Sequence, residues 1–105
     1  MAEVTLSESN WEEEVIKSNI PVMVDFWATW CKPCIALEPV LEEIEKECKG
    51  IKIVKLNVEK NQETQMKYSV MSVPTMLIFK NGIPVDQITG KTNKLKIMKA
   101  IEEVL

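Results

Sequence analysis

The 105-residue chain contains no histidine and no arginine; its thirteen basic residues are all lysines. Without histidine there is no imidazole to act as a base near neutral pH, and no His ligand for a metal. Without arginine, bidentate clamping of a phosphate or carboxylate is unavailable. Acid–base work therefore falls to Asp, Glu, Lys, Tyr, thiols or water. Cysteine is scarce as well: three residues, an odd number and too few for a secreted disulfide scaffold. The lysines are scattered and the net charge is -3, which argues against a nucleic-acid or anionic-membrane partner, since either would need a basic face. The opening MAEVTLSESNWEEE has no apolar stretch flanked by basic residues. The expectation is thus no signal peptide, no membrane anchor and a cytoplasmic protein.

What is present fits one globular domain over residues 1–105, with 46% apolar and 28% charged residues. A chain of this length buries a core without needing disulfides. Val4–Leu6 reads as a short strand, and residues 7–18 as a helix with Ser7, Ser9 and Asn10 as candidate caps. VMVDFWA, residues 22–28, is a nearly continuous apolar run, the pattern of a strand covered on both faces. Residues 33–49 form a long helix ended by Gly50 and kinked at Pro39; residues 51–58 form a second buried strand, and 61–68 a short helix. Asn81-Gly82 signals a hairpin between strands 75–80 and 84–89, and residues 92–105 close the chain as an amphipathic helix. The order β-α-β-α-β-α-β-β-α implies an α/β fold: a mixed central sheet with helices on both faces.

The chemistry concentrates in DFWATWCKPC, residues 25–34. A Cys-x-x-Cys pair can be half of a zinc site, but only Cys48 remains as a further cysteine. Along a continuous helix Cys48 lies roughly 21 Å beyond Cys34, at about 1.5 Å per residue. It cannot close a shell around the same ion, so no single-chain metal site is expected; a metal shared between two chains stays open. The redox reading has positive support. Cys31 starts a helix whose N-terminus stabilises a thiolate, and Cys34 lies one turn in, close enough to form and reopen a disulfide. Cys34, Leu37, Leu41, Ile44 and Cys48 recur at steps of three and four, a stripe that faces the sheet. The stripe predicts a shielded Cys34 and a Cys31 at the surface. Cys31 is then the attacking thiol and Cys34 the resolving one. For Cys48, two readings stand: a small core residue, or a partly exposed regulatory thiol.

Asp25 interrupts the apolar run in a chain with no arginine to neutralise it. A buried carboxylate has a raised pKa, which suits a group that takes the proton of Cys34 near neutral pH. The competing readings are a hydrated residue near a strand end, or an ion pair with Lys55 from the equally apolar IVKLNV, residues 53–58. Val73-Pro74 reads either as an ordinary start to a strand or as a cis bond that exposes the Val73 backbone to a partner.

DFWATWCKPC, Pro39, KLNVEKN at 55–61, SVPT at 72–75, FKNG at 79–82 and Gly90 together resemble the thioredoxin family, in order and spacing over the whole chain. The resemblance implies a thioredoxin fold, with a central mixed five-stranded sheet flanked by four helices, and a monomeric protein-disulfide reductase. It makes Cys31 the nucleophile, Cys34 the resolving thiol and Asp25 the base; Lys55, from the residue reading above, is the expected electrostatic partner of Asp25. It also makes Pro74 a cis proline and places Trp30, Val73, Pro74 and Gly90 around a shallow groove for substrate proteins. Trp11 and Trp27 are expected to pack, Trp27 beneath the active site. The redox centre is the Cys31–Cys34 disulfide, without a bound cofactor. Electrons are expected from a separate thioredoxin reductase, NADPH- or ferredoxin-linked, because the chain has no Gly-rich dinucleotide loop. A docking or assembly role with incidental thiols is the competing class. Lys32 departs from the glycine usual at that position. Lys32 and Pro33 are the residues expected to tune the potential: a cation beside Cys31 favours the thiolate, on the order of 10 mV. Lys32 is alternatively a solvated turn residue or a selector of the docking reductase.

Overall fold

The computed structural model describes residues 4–105. The strands are β1 (Val4–Thr5), β2 (Val22–Trp27), β3 (Lys52–Asn57), β4 (Thr75–Lys80) and β5 (Ile83–Thr89). The α-helices are α1 (Lys32–Glu47), α2 (Gln62–Lys67) and α3 (Lys94–Val104), and a π-helical turn covers Glu12–Ile16. The sheet order is β1-β3-β2-β4-β5. Pairing is parallel for β1–β3 and β2–β3, and antiparallel for β2–β4 and β4–β5. Four strands of six or seven residues make the body of this mixed sheet, and β1 adds only a two-residue edge. The expectation of five strands thus holds only with that edge pair counted.

Side chains alternate across the sheet and split the core in two. On one face Val22, Val24, Phe26, Val54 and Leu56 pack with Trp11, Val15 and Phe79. On the other, Met23, Ile53, Met76 and Ile78 pack with Leu37, Leu41 and Ile44 of α1 and Ile97 and Ile101 of α3. Trp11 takes the packing role expected of it: it is buried, and its ring lies 5.3 Å from Tyr68 and 5.5 Å from Phe79.

The N-terminal helix is much shorter than residues 7–18. The Asn10 side chain accepts from Ser7 N–H at 2.7 Å and donates to the Thr5 carbonyl at 3.0 Å, which holds residues 7–10 in a turn. Asn and Ser side chains bond to nearby backbone and so compete with helix formation. The N-cap is Trp11, with no side-chain cap bond, so Ser7, Ser9 and Asn10 do not cap it. Helix α1, by contrast, runs unbroken through Pro39. Asn81 and Gly82 both have positive φ, as the hairpin signal requires. Gly82 also packs close to the helical turn: a Cβ there would sit 2.9 Å from the Ile16 carbonyl oxygen.

Candidate active site

Strand register brings distant segments to one end of the sheet. Phe26 pairs with Thr75 across β2–β4, so Val73-Pro74 lies beside the segment that leads from β2 into the cysteines. Thr75 pairs in turn with Thr89, and Gly90 N–H donates to the Pro74 carbonyl at 2.8 Å. Gly90 has φ +83°, backbone that glycine adopts without steric cost. The Val73–Pro74 bond is cis, which sets aside the ordinary strand-start reading of Pro74. Val73 packs against the cluster that holds both cysteines, and Trp30 precedes Cys31 in the chain. Trp30 is 70% exposed, Val73 and Gly90 are half-buried, and Pro74 is buried.

Cys31 and Cys34 are joined in a disulfide, with Cα atoms 5.3 Å apart. Cys31 is the N-cap of α1 and its sulfur accepts the Cys34 N–H at 3.2 Å. A sulfur in that position faces the positive end of the helix and its backbone donors. The expected difference in exposure is not found: Cys31 is 3% exposed and Cys34 2%. The helical stripe correctly buries Cys34, but it says nothing of the residues that fold over the cap. Both cysteines join the cluster of Phe26, Ala28 and Val58, while Leu37, Leu41 and Ile44, farther along α1, serve the opposite face. The start of α1 thus straddles the end of the sheet.

The approach to Cys31 is tied down by a residue with no role in the motif. Thr29 donates to Glu59 Oε1 from its backbone N–H at 2.7 Å and from its hydroxyl at 2.9 Å. These two bonds hold the Glu59 carboxyl below the usual carboxylate range. Glu59 lies in the loop after β3, and its N–H is fixed in turn by Asn57 Oδ1 at 2.8 Å. No spacing rule connects Thr29 to Glu59; the only sequence signal is an acid just beyond a strand parallel to β2.

Asp25 lies inside β2 and is 1% exposed, which rules out a hydrated strand end. It stands in register with Lys55 on one side and Met76 on the other. It shares the face of Met23 by alternation, the face covered by α1 and α3. The Lys55 ammonium binds Glu38 of α1 at 2.8 Å and lies 4.7 Å above the Trp27 ring. Lys55 is thus the register neighbour of Asp25, and its ammonium also donates to the Glu38 carboxylate at 2.8 Å. Glu38 was invisible as a partner, because an acid among the many acids of α1 carries no distinguishing signal. Lys32 and Pro33, between the cysteines, are both exposed.

Cys48 caps the other end of α1. It is half-buried, and its thiol lies 3.4 Å from Met98 Sδ of α3. Burial pushes this thiol up, and the neighbouring Glu47 and Glu102 charges push it further. Among the described residues no group of three or more His, Cys, Asp and Glu side chains could hold a metal ion, and no helix is long and apolar enough to cross a membrane.

Thioredoxin, as a family, matches residues 2–103 of the chain. The chain belongs to the thioredoxin family. It is 42% identical to a thioredoxin of Rickettsia bellii over 97 residues, 91% of this chain and 92% of that protein. It is 41% identical to a thioredoxin of Synechocystis over 101 residues, 95% of this chain and 94% of that one. An M-type chloroplast thioredoxin of Pisum sativum is 42% identical over 101 residues, 59% of its own length. Family membership and a disulfide at a helix N-cap together define the activity as protein-disulfide oxidoreduction by a dithiol–disulfide carrier. The redox centre of such a thioredoxin is the cysteine pair itself.

Proposed function

We propose that residues 1–105 act as a single, monomeric redox domain that reduces disulfides of other proteins in the cytoplasm. The observation that carries this reading is the Cys31–Cys34 disulfide at the N-terminus of α1. In the reduced chain, the Cys31 thiolate attacks one sulfur of a substrate disulfide. The substrate S–S bond breaks, one substrate thiolate leaves, and Cys31 is held in a mixed disulfide. Cys34 then gives up its proton, with Asp25 as acceptor, and attacks the Cys31 sulfur. The Cys31–Cys34 bond forms, and the second substrate thiol departs with two electrons delivered in total. The deep burial of Asp25 on the α1 face supports its role, since a desolvated carboxylate accepts a proton more readily. Lys55 adjusts the field around it from the adjacent register position, and Lys32 and Pro33 set the potential from between the sulfurs.

Trp30, Val73, Pro74 and Gly90 form the surface on which the substrate chain lies. Exposed Trp30 and the backbone beside the cis bond support that reading. A separate thioredoxin reductase, NADPH- or ferredoxin-linked, returns the pair to the dithiol. Reduction of insulin disulfides by the reduced chain tests the whole reading. Cys31→Ser is expected to lose activity to the uncatalysed rate, and Cys34→Ser to accumulate the mixed disulfide; full activity of Cys31→Ser would end the proposal. Asp25→Asn is expected to slow substrate release at neutral pH by about tenfold, and an unchanged turnover would remove Asp25 from the mechanism.

A further inference from the structure

A groove of ≈ 360 Å³ opens beside the disulfide, on the side where α1 meets the loop after β5. Its floor is apolar, from Pro33, Ala36, Leu37 and Val40, and its rim carries two lysines, Lys32 and Lys91. Lys32 is the first residue of α1, next to Cys31, and Lys91 follows Gly90. Both lysines are exposed, and neither forms an ion pair among the described residues. Three of the α1 carboxylates are engaged with other lysines. Glu38 binds Lys55 at 2.8 Å, while Glu43 and Glu47 bind Lys94 at 2.6 and 2.7 Å. A protein of net charge -3 therefore presents two uncommitted cations at its redox centre.

We propose that this groove selects the substrate: it takes an extended segment of a disulfide-bearing protein that carries Asp or Glu within a few residues of the target cysteine. An apolar side chain of that segment sits on Pro33, Ala36 and Val40, while its carboxylates lie between Lys32 and Lys91. This rests on the disulfide-reductase reading above and assigns it a substrate class. Two like charges flanking one cleft attract an acidic segment and repel a basic one, and the effect declines with salt because both ammonium groups are exposed.

The test uses the full chain, reduced beforehand and freed of reductant. Three disulfide-linked peptides differ only in the residues flanking the cysteine, which are Asp, Asn or Lys. Second-order reduction rates are measured by acid quench, each divided by the rate of the same peptide with dithiothreitol, which also attacks as a thiolate, so that intrinsic disulfide reactivity and repulsion of an anionic attacker cancel. The Asp peptide is expected to react about fivefold faster than the Asn peptide, and the Lys peptide more slowly than either. Lys91→Gln is expected to bring the Asp-to-Asn ratio down to about two, and salt at about 0.5 M to bring it near one. A wild-type ratio at or below one, or a ratio that Lys91→Gln leaves unchanged, overturns the acidic preference while leaving the reductase reading intact. Failure to reduce any of the three peptides overturns both.

Discussion

Helix α1 carries a cysteine at each end, Cys31 as its N-cap and Cys48 as its C-cap, and the two ends treat sulfur in opposite ways. At the N-terminus the Cys31 sulfur receives a backbone N–H and the positive end of the helix. At the C-terminus Cys48 sits beside a helix end that is partially negative, with Glu47 and Glu102 adding charge and burial raising the thiol further. Burial alone does not predict these settings, for Cys31 is more deeply buried than half-buried Cys48. What differs between the two sulfurs of this helix is the direction of the local field.

That contrast requires one rigid body between the two ends, and breaking it should have the largest effect. Leu41 lies midway along α1 and is fully buried in the cluster shared with α3. Leu41→Ala is expected to cost about 3 kcal/mol of global stability, read as a shifted midpoint in urea; a loss under about 1 kcal/mol would show that the ends are held separately.

A sharper comparison labels the reduced chain with iodoacetamide at pH 7 and maps the products. Cys31 should react about thirtyfold faster than Cys48, because only the thiolate attacks. Raised above its ordinary value of 9.0, the Cys48 thiol binds its proton more tightly in the folded chain than in the unfolded one. Its labelling should therefore climb by roughly tenfold per pH unit from pH 7 and level off only above that value, and faster labelling of Cys48 than of Cys31 at pH 7 would reverse the comparison.

The smallest effect concerns the added cation at the reactive end. Lys32→Gly is expected to make the disulfide a weaker oxidant by on the order of 10 mV. Equal midpoint potentials in glutathione buffers would confine Lys32 to docking.

Much of this architecture can be read along the chain. The apolar run of β2, the stripe of α1 and the Asn81-Gly82 turn each express a local period or a turn preference, and the elements fall within a few residues of those signals. The N-terminal helix departed from its pattern because Asn10 ties the backbone back to Thr5 and Ser7, a geometry that periodicity does not encode. At the site, the cysteine pair and Asp25 stand out in sequence because their chemistry conflicts with their apolar surroundings. Glu59, Glu38 and Lys91 do not stand out. Each is an ordinary charged residue whose meaning comes from a partner or a cleft supplied by another segment.

The redox pair, the end of the helix on which it sits and the order of strands and helices follow from the chain alone. These depend on neighbours within one or two turns, where covalent spacing fixes geometry. Register and packing are what bury Cys31, bring Lys55 to Glu38, join Gly90 to Pro74 and set Lys91 in one groove with Lys32 and Pro33. Those outcomes depend on strand register, which brings together residues far apart in the chain, and no spacing within any one segment specifies it.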